Sequence, residues 1–272
     1  MYRSTMRPLF FCCCWLLSFS KIYAMLSGNP AQPALQTQSL LKMRPTWVSF
    51  RTGYIDDWVY HQKFRDEVTV EGTTVALTGI QLSTYAGVAT LNFKDRIDFY
   101  GIVGSSRIQI ENEIFTKPAL SWGVGGKLII FEEGNFFIGT DFKYFQTNQK
   151  PRYLIVEGLP YNIMSDFRLI YRELLVSVGM AYRISICAPY INLTYLAENN
   201  FVNRVIPNPQ VLLVRLPDAD ELADVPLKRL IVQERWGMAL GLTLIDKGLA
   251  TLAVEWRAFN QNAVDWNFEF RF

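Results

Sequence analysis

Apolar and polar side chains alternate along most of this chain. Leu174, Val176, Val178, Met180 and Tyr182 interleave with Leu175, Ser177, Gly179, Ala181 and Arg183. Trp236, Met238, Leu240, Leu242 and Leu244 interleave with Gly237, Ala239, Gly241 and Thr243, and the runs from Phe136 to Phe145 and from Ala250 to Ala258 repeat the pattern. The C-terminus is the clearest case: Trp266, Phe268, Phe270 and Phe272 take every second position, with Asn267, Glu269 and Arg271 between them. A soluble strand ending this way would turn large rings toward water. A period of two over about nine residues is what a tilted strand needs to cross a bilayer, with lipid on one face and a polar lumen on the other.

The pattern predicts about ten strands, near 46–60, 81–93, 96–105, 120–131, 135–145, 168–183, 188–197, 229–245, 248–259 and 264–272. Short links with turn residues fall at Lys94-Asp95-Arg96, Glu132-Glu133-Gly134-Asn135, Ile184 to Pro189 and Ile245-Asp246-Lys247-Gly248, and a brief one at Asn260 to Asn262 precedes the last strand. Longer segments run from His61 to Gly79, Ser106 to Ala119, Gln146 to Asp166 and Glu198 to Lys228. The fold class expected is therefore all-β: a transmembrane antiparallel β-barrel with short periplasmic turns and longer external loops. An even strand number puts both ends in the periplasm. Gly and Ala blur the second and third strands, so eight or twelve strands stay open. Trp47, Tyr54, Trp58, Tyr60, Tyr144, Tyr182, Tyr195, Trp236, Trp256 and Trp266 fall toward strand ends, where amphipathic rings settle at headgroup depth.

The N-terminus adds a compartment. Arg3 and Arg7 precede the apolar run Leu9 to Phe19, and a cleavage point follows Ala24, so residues 1–24 read as a signal peptide; a retained anchor is the alternative. Cys12, Cys13 and Cys14 lie within this leader and no lipoprotein box surrounds them. Cys187 alone remains afterwards, which excludes an internal disulfide framework and a cysteine metal cluster. Residues 25–45 are polar and contain Pro, reading as a periplasmic N-terminal segment, either a tail or a lumen plug; residues 46–272 form the barrel. Without Arg3, Arg7 and Lys21 the chain holds 24 basic and 25 acidic residues, which gives nucleic-acid binding no electrostatic support. Hydrophobic residues make up 50% of the chain, yet no 18-residue apolar run follows the leader, which argues against helical spans.

The face opposite the lipid-facing set carries Arg51, Asp98, Lys127, Asp141, Lys143, Arg183, Glu255, Arg257, Asp265, Glu269 and Arg271. A charge on the lipid face costs roughly 2–4 kcal/mol at mid-membrane, so these are expected to line the lumen. They form either a polar conduit or a salt-bridge lattice filling a narrow barrel. The inward small residues Gly237, Ala239, Gly241, Ser177, Gly179 and Ala181 favour open space. His61 stands at the base of the first long loop near Asp56 and Asp57. Omptin proteases use an Asp-His pair at such a rim; no Asp-x-His sequence occurs here, so His61 reads as a solvated loop residue. In the last long loop, Val211-Leu212-Leu213-Val214 precedes Asp218-Ala219-Asp220-Glu221, whose spacing matches no EF-hand, so the acids read as surface.

Some residues carry a family resemblance. Gly28-Asn29-Pro30-Ala31-Gln32-Pro33-Ala34-Leu35 resembles the mature N-terminus of chlamydial major outer membrane proteins. Val48-Ser49-Phe50-Arg51-Thr52-Gly53-Tyr54, followed by Asp57-Trp58-Val59-Tyr60, is similar to that family's first strand, as are Leu244-Ile245-Asp246 and Phe270-Arg271-Phe272 to its closing segments. The resemblance implies a porin of the cell outer membrane that passes small hydrophilic solutes, with no catalysis, cofactor or metal. A non-conducting envelope scaffold or adhesin presenting its loops is the alternative. The chain is shorter than that family and poorer in cysteine. The family's intermolecular disulfides imply that Cys187 bridges to another envelope protein, against the alternative of a buried free thiol. Expected partners are outer-membrane lipid, the barrel assembly machinery reading Trp266, Phe268, Phe270 and Phe272, and a second copy or other envelope proteins.

Overall fold

The computed structural model describes residues 28–39, 47–62, 67–70, 73–76, 79–110, 114–156, 159–162, 168–204, 230–231 and 234–272. The expected leader at 1–24 and the stretch holding Val211–Val214 and Asp218–Glu221 lie outside the described residues.

A short helix, α1 (Gln32–Leu35), precedes β1 (Val48–Gln62), the hairpin β2 (Glu67–Val70) and β3 (Thr73–Ala76), β4 (Ile80–Phe93), β5 (Ile97–Ile110) and β6 (Ile114–Thr116). There follow β7 (Ala119–Glu133), β8 (Phe136–Gln149), the hairpin β9 (Pro151–Val156) and β10 (Leu159–Asn162), β11 (Arg168–Tyr182) and β12 (Cys187–Arg204). The chain closes with β13 (Leu230–Ile231), β14 (Trp236–Asp246), β15 (Ala250–Ala258) and β16 (Asn262–Arg271). Ten of these strands, β1, β4, β5, β7, β8, β11, β12, β14, β15 and β16, pair antiparallel, each with the next. β1 then closes on β16, from Arg51 opposite Arg271 to His61 opposite Asn262. The sheet thus has no open edge at membrane depth, which a bilayer requires because lipid cannot satisfy a free backbone N–H or C=O.

The short turns share one rim. Lys94 and Asp95 both take positive φ (51° and 54°), as do Lys247 and Gly248 (50° and 69°), in three-residue links that join Phe93 to Ile97 and Asp246 to Ala250. Glycine at 248 and at Gly134 (φ 60°) meets that need without a Cβ penalty. The opposite rim is less simple than the sequence suggested. β5, β8 and β12 run on to Ile110, Gln149 and Arg204, through stretches expected to be loop. β6 pairs with β5 and β9, so the external segments extend the barrel sheet beyond its wall. The eighth barrel strand begins at Trp236 rather than near 229; Leu230 and Ile231 pair separately, with Phe201 and Asn200. Isoleucines at 108, 110 and 114 keep the ladder going where lipid no longer requires it.

Outside, the barrel presents lipid-facing apolar side chains. Val103 is 62% exposed, Leu193 56% and Val178 50%. Rings pair toward the outer rim: Trp122 with Tyr144 at 5.5 Å, Tyr195 with Trp236 at 4.8 Å and Trp58 with Tyr85 at 6.4 Å between centroids. At the periplasmic rim Lys94 Nζ lies 4.0 Å from the centre of the Trp47 ring. His61 ends up within β1, half-buried, not in a loop.

Candidate functional site: the barrel interior and its N-terminal segment

Strand parity sets the interior. On β1 it turns Arg51, Ile55 and Asp57 inward; on β16 it turns Asp265, Asn267, Glu269 and Arg271 inward. Arg51, Asp98, Lys127, Asp141, Lys143, Glu255, Arg257, Asp265, Glu269 and Arg271 are all buried, none more than 7% exposed. Arg183 is different. It lies past the last residue of β11, half-exposed in the turn, where its backbone N–H donates to Asn135 O at 2.8 Å. The strand stops one residue too early to carry it inside.

The charges form two tiers. In the lower one Arg51 pairs with Asp98, and its Nε stands 3.3 Å from Glu269 Oε2. Asn92 Nδ2 donates to Asp98 Oδ1 at 2.7 Å, and Tyr100 donates its hydroxyl to Asp141 Oδ1 at 2.7 Å. In the upper tier Arg257 Nη2 lies 3.3 Å from Asp57 Oδ1, and its Nε lies 3.8 Å from both Glu255 Oε1 and Asp265 Oδ2. Glu173 Oε2 accepts from Tyr171 Oη at 2.7 Å and Gln261 Nε2 at 3.2 Å. Glu173, Tyr171 and Gln261 were not singled out from the sequence, and Asp57 was placed at the rim beside His61 and not in the lumen. Asp57 shares the parity of Arg51, and Glu173 that of Arg183, so the signal was present for both.

One inner wall is apolar: Ile55, Ala86, Val88 and Ile102 pack together on β1, β4 and β5 beside Tyr100. The space left between this wall and the charged one is a cavity of about 30 Å³, bordered by Arg51, Asp57, Tyr100, Lys127, Asp141 and Lys143. That is room for about one water. The small inward residues do not open it further. A Cβ on Gly241 would stand 2.1 Å from the Tyr190 ring, on Gly179 1.8 Å from Asn192 Oδ1, and on Gly237 2.0 Å from Asn260 Oδ1. Each small residue makes room for a large neighbour, as small barrels do to fill their taper. At Gly179, Gly237 and Gly241 the space expected to be open is filled.

Residues 28–39 occupy the periplasmic half of the interior. Gln38 N donates to Gly248 O (3.0 Å) at the rim, and Gly28 N donates to Glu255 Oε2 (2.9 Å) at the upper tier. Between them, Asn29 Nδ2 donates to Thr243 Oγ1 (2.9 Å), Gln32 Nε2 to Thr251 Oγ1 (3.0 Å), and Gln36 Nε2 to Thr251 Oγ1 (2.9 Å) and Glu269 O (3.0 Å). The wall answers: Arg51 Nη1 donates to Gln32 O (2.9 Å), Asn192 Nδ2 to Gly28 O (2.8 Å), Asn92 Nδ2 to Pro33 O (3.1 Å), and Arg271 to Gln36 O. Asn29 Oδ1 accepts from Ala31 N at 2.8 Å, an Asx turn that leads into α1, where Pro33 supplies a helical φ in the first turn. α1 buries Ala31, Ala34 and Leu35 against Ile129, Phe137, Ala181, Ala188, Tyr190 and Ile245.

Cys187 opens β12 and is a half-buried free thiol whose parity, shared with the exposed Ile191 and Leu193, turns it outward at the periplasmic rim. Trp266, Phe268, Phe270 and Phe272 follow the outward face of the last strand. Phe272 N donates to Phe50 O at 2.8 Å, and the Phe272 and Phe50 rings lie 6.2 Å apart.

A closed ten-stranded barrel with an apolar exterior, paired rings at the rim and a charged interior defines an outer-membrane β-barrel protein. No protein-family model matches the chain. It is a distant relative of the chlamydial major outer membrane porins. It is 21% identical over 381 residues to the major outer membrane porin of Chlamydia trachomatis serovar B, covering 94% of this chain and 97% of the relative. With the major outer membrane porin of Chlamydia abortus it is 22% identical over 370 residues, covering 92% and 95%. An alignment that long against 272 residues means that the relatives carry segments this chain lacks. Solved barrels resemble it only loosely. The outer membrane protease OmpT of Escherichia coli covers 82% of this chain and 93% of its own, at TM-score 0.38 and 11% identity. The translocator domain of the autotransporter NalP of Neisseria meningitidis covers 85% and 91%, at 0.39 and 8%.

Proposed function

We propose that the chain is an outer-membrane porin whose described conformation is closed. It passes small hydrophilic solutes by diffusion and performs no chemistry, so it needs no cofactor or metal. The observation that carries this reading is the inward face: twelve buried charged side chains among the described residues, Asp57 and Glu173 included, inside a closed barrel, in a relative of proteins named as major outer membrane porins. In this reading Arg51, Asp98, Lys127, Asp141, Lys143, Glu255, Arg257, Asp265, Glu269 and Arg271 line the conduit, with Arg183 at its periplasmic mouth. Residues 28–39 are its stopper. The C-terminal rings are the address read by the barrel assembly machinery, and Cys187 forms a disulfide with a second copy or another envelope protein, testable on non-reducing gels.

The test is conductance in planar bilayers, comparing the protein with a version lacking residues 28–39. None of the ten barrel strands draws a ladder partner from that segment, so the barrel is expected to survive its removal. A porin gives rare steps in the first case and frequent ones in the second. The roughly 30 Å³ cavity favours a second reading, a non-conducting scaffold presenting its external loops. Silence from both versions would establish the scaffold.

A further inference from the structure

The upper tier of the interior is not balanced in charge. Four carboxylates, Asp57, Glu173, Glu255 and Asp265, face two cations, Lys143 and Arg257, and all six side chains are buried at 2% exposure or less. The hydrogen bonds leave part of this acidity uncommitted. Asp265, 1% exposed, accepts no hydrogen bond at either oxygen, although Oδ2 points at Arg257 Nε from 3.8 Å. Asp57 Oδ2 and Glu173 Oε1 likewise accept none. A buried carboxylate oxygen without a donor is costly, so these atoms have room for a proton or another small cation beyond the protein's own side chains. The lower tier does not compensate. Arg51, Lys127 and Arg271 there face Asp98, Asp141 and Glu269, with Asp95 at the rim on Arg271, so no positive excess below offsets the upper tier.

From this we infer that the carboxylates around Arg257 form a cation-preferring constriction, the point at which the pore favours small cations over anions. The inference rests on the porin reading and adds the charge class of the solute. A cation passing between Asp57, Glu173 and Asp265 gains the attraction of their unused oxygens. An anion meets the same oxygens with only Arg257 and Lys143 to offset them. One unit charge at about 4 Å, even screened as in bulk water, alters occupancy about fivefold. Arg257 fixes the geometry through Asp57, Glu255 and Asp265, and Tyr171 and Gln261 hold Glu173 in place.

The experiment is a reversal-potential measurement on the full-length protein in planar bilayers under a potassium chloride gradient. Wild type should favour K⁺ over Cl⁻ by about fivefold or more. Glu173→Gln and Asp265→Asn, near-isosteric changes that keep hydrogen-bonding capacity, should each lower the ratio several-fold while channel steps persist. Circular dichroism and protease resistance check that each variant folds. Steps that are unselective or favour Cl⁻, or a ratio unmoved by both variants, overturn the inference and leave the porin reading standing. No steps from any version overturn both.

Discussion

The sharpest prediction concerns the hold of the N-terminal segment. Asn29, Gln32 and Gln36 together donate four side-chain hydrogen bonds of 2.9–3.0 Å to the wall, to Thr243, Thr251 twice and the Glu269 carbonyl. Each neutral bond contributes a net ~1 kcal/mol, so replacing all three residues by alanine weakens docking by about 4 kcal/mol. At 1.4 kcal/mol per decade that is about a thousandfold change in the ratio of docked to released segment. The acceptors left behind on the wall can take water, and every barrel-strand residue is untouched. The readout is open probability in single-channel recordings, which should rise by orders of magnitude until it saturates, at unchanged single-step conductance. Adding a peptide of sequence 28–39 to the periplasmic side should close the variant again. A triple variant with wild-type gating, or one indifferent to the peptide, would refute the idea that this segment is a stopper.

Four further outcomes follow from the same geometry. Arg257→Ala leaves Asp57, Glu255 and Asp265 without their shared cation and should cost about 3–5 kcal/mol of stability, read from denaturant midpoints in detergent. Arg96→Ala, which removes a surface pair with Glu132, should cost less than about 1 kcal/mol in the same assay. Val103→Lys, midway along β5 and 62% exposed, should cost ~2–4 kcal/mol in folding into lipid vesicles; a negligible cost would mean that this face does not meet acyl chains. Gly241→Val, whose added carbons would meet the Tyr190 ring, should destabilise by about 1–3 kcal/mol, and free tolerance would show an open interior at that depth.

The barrel itself was legible because lipid imposes a rule on every strand: one face apolar, the other not. Val176, Val178 and Met180, or Phe268 and Phe270, could therefore be assigned without knowing their neighbours. The turns were legible for a similar reason, since Lys94-Asp95 and Lys247-Gly248 carry local backbone demands. The interior has no such rule. Whether Gly241 marks a void depends on Tyr190, an inward residue of the adjacent strand, and one sequence does not show which ring leans where. Whether the polar stretch after Gly28 hangs in the periplasm or enters the barrel depends on Thr243, Thr251 and Glu269, more than 200 residues away. Its two prolines and four amides have no periodicity to report that contact. Arg183 failed by one residue, because strand ends are set by the turn and not by the alternation.

The composition of residues 28–39 bears on whether the proposed stopper can move. Between Gly28 and Ser39 there is no charged side chain, although the wall around it offers Arg51, Arg271, Glu255 and Glu269. Had Gln32 or Gln36 been Glu, the segment would be bound by buried ion pairs, and withdrawing one partner from such a pair costs about 3–5 kcal/mol each time. Amide and carbonyl bonds exchange for water at a net cost of ~1 kcal/mol. The wall's own charges are already engaged with each other, Arg51 with Asp98 and Arg271 with Asp95, so release of the segment leaves no ion stranded. The apolar side chains it buries are small or few, Pro30, Ala31, Pro33, Ala34 and Leu35. A permanent filler of a narrow barrel has no need to be neutral, whereas a removable one does. The uncharged run from Gly28 to Ser39 therefore argues for a gate over a fixed core.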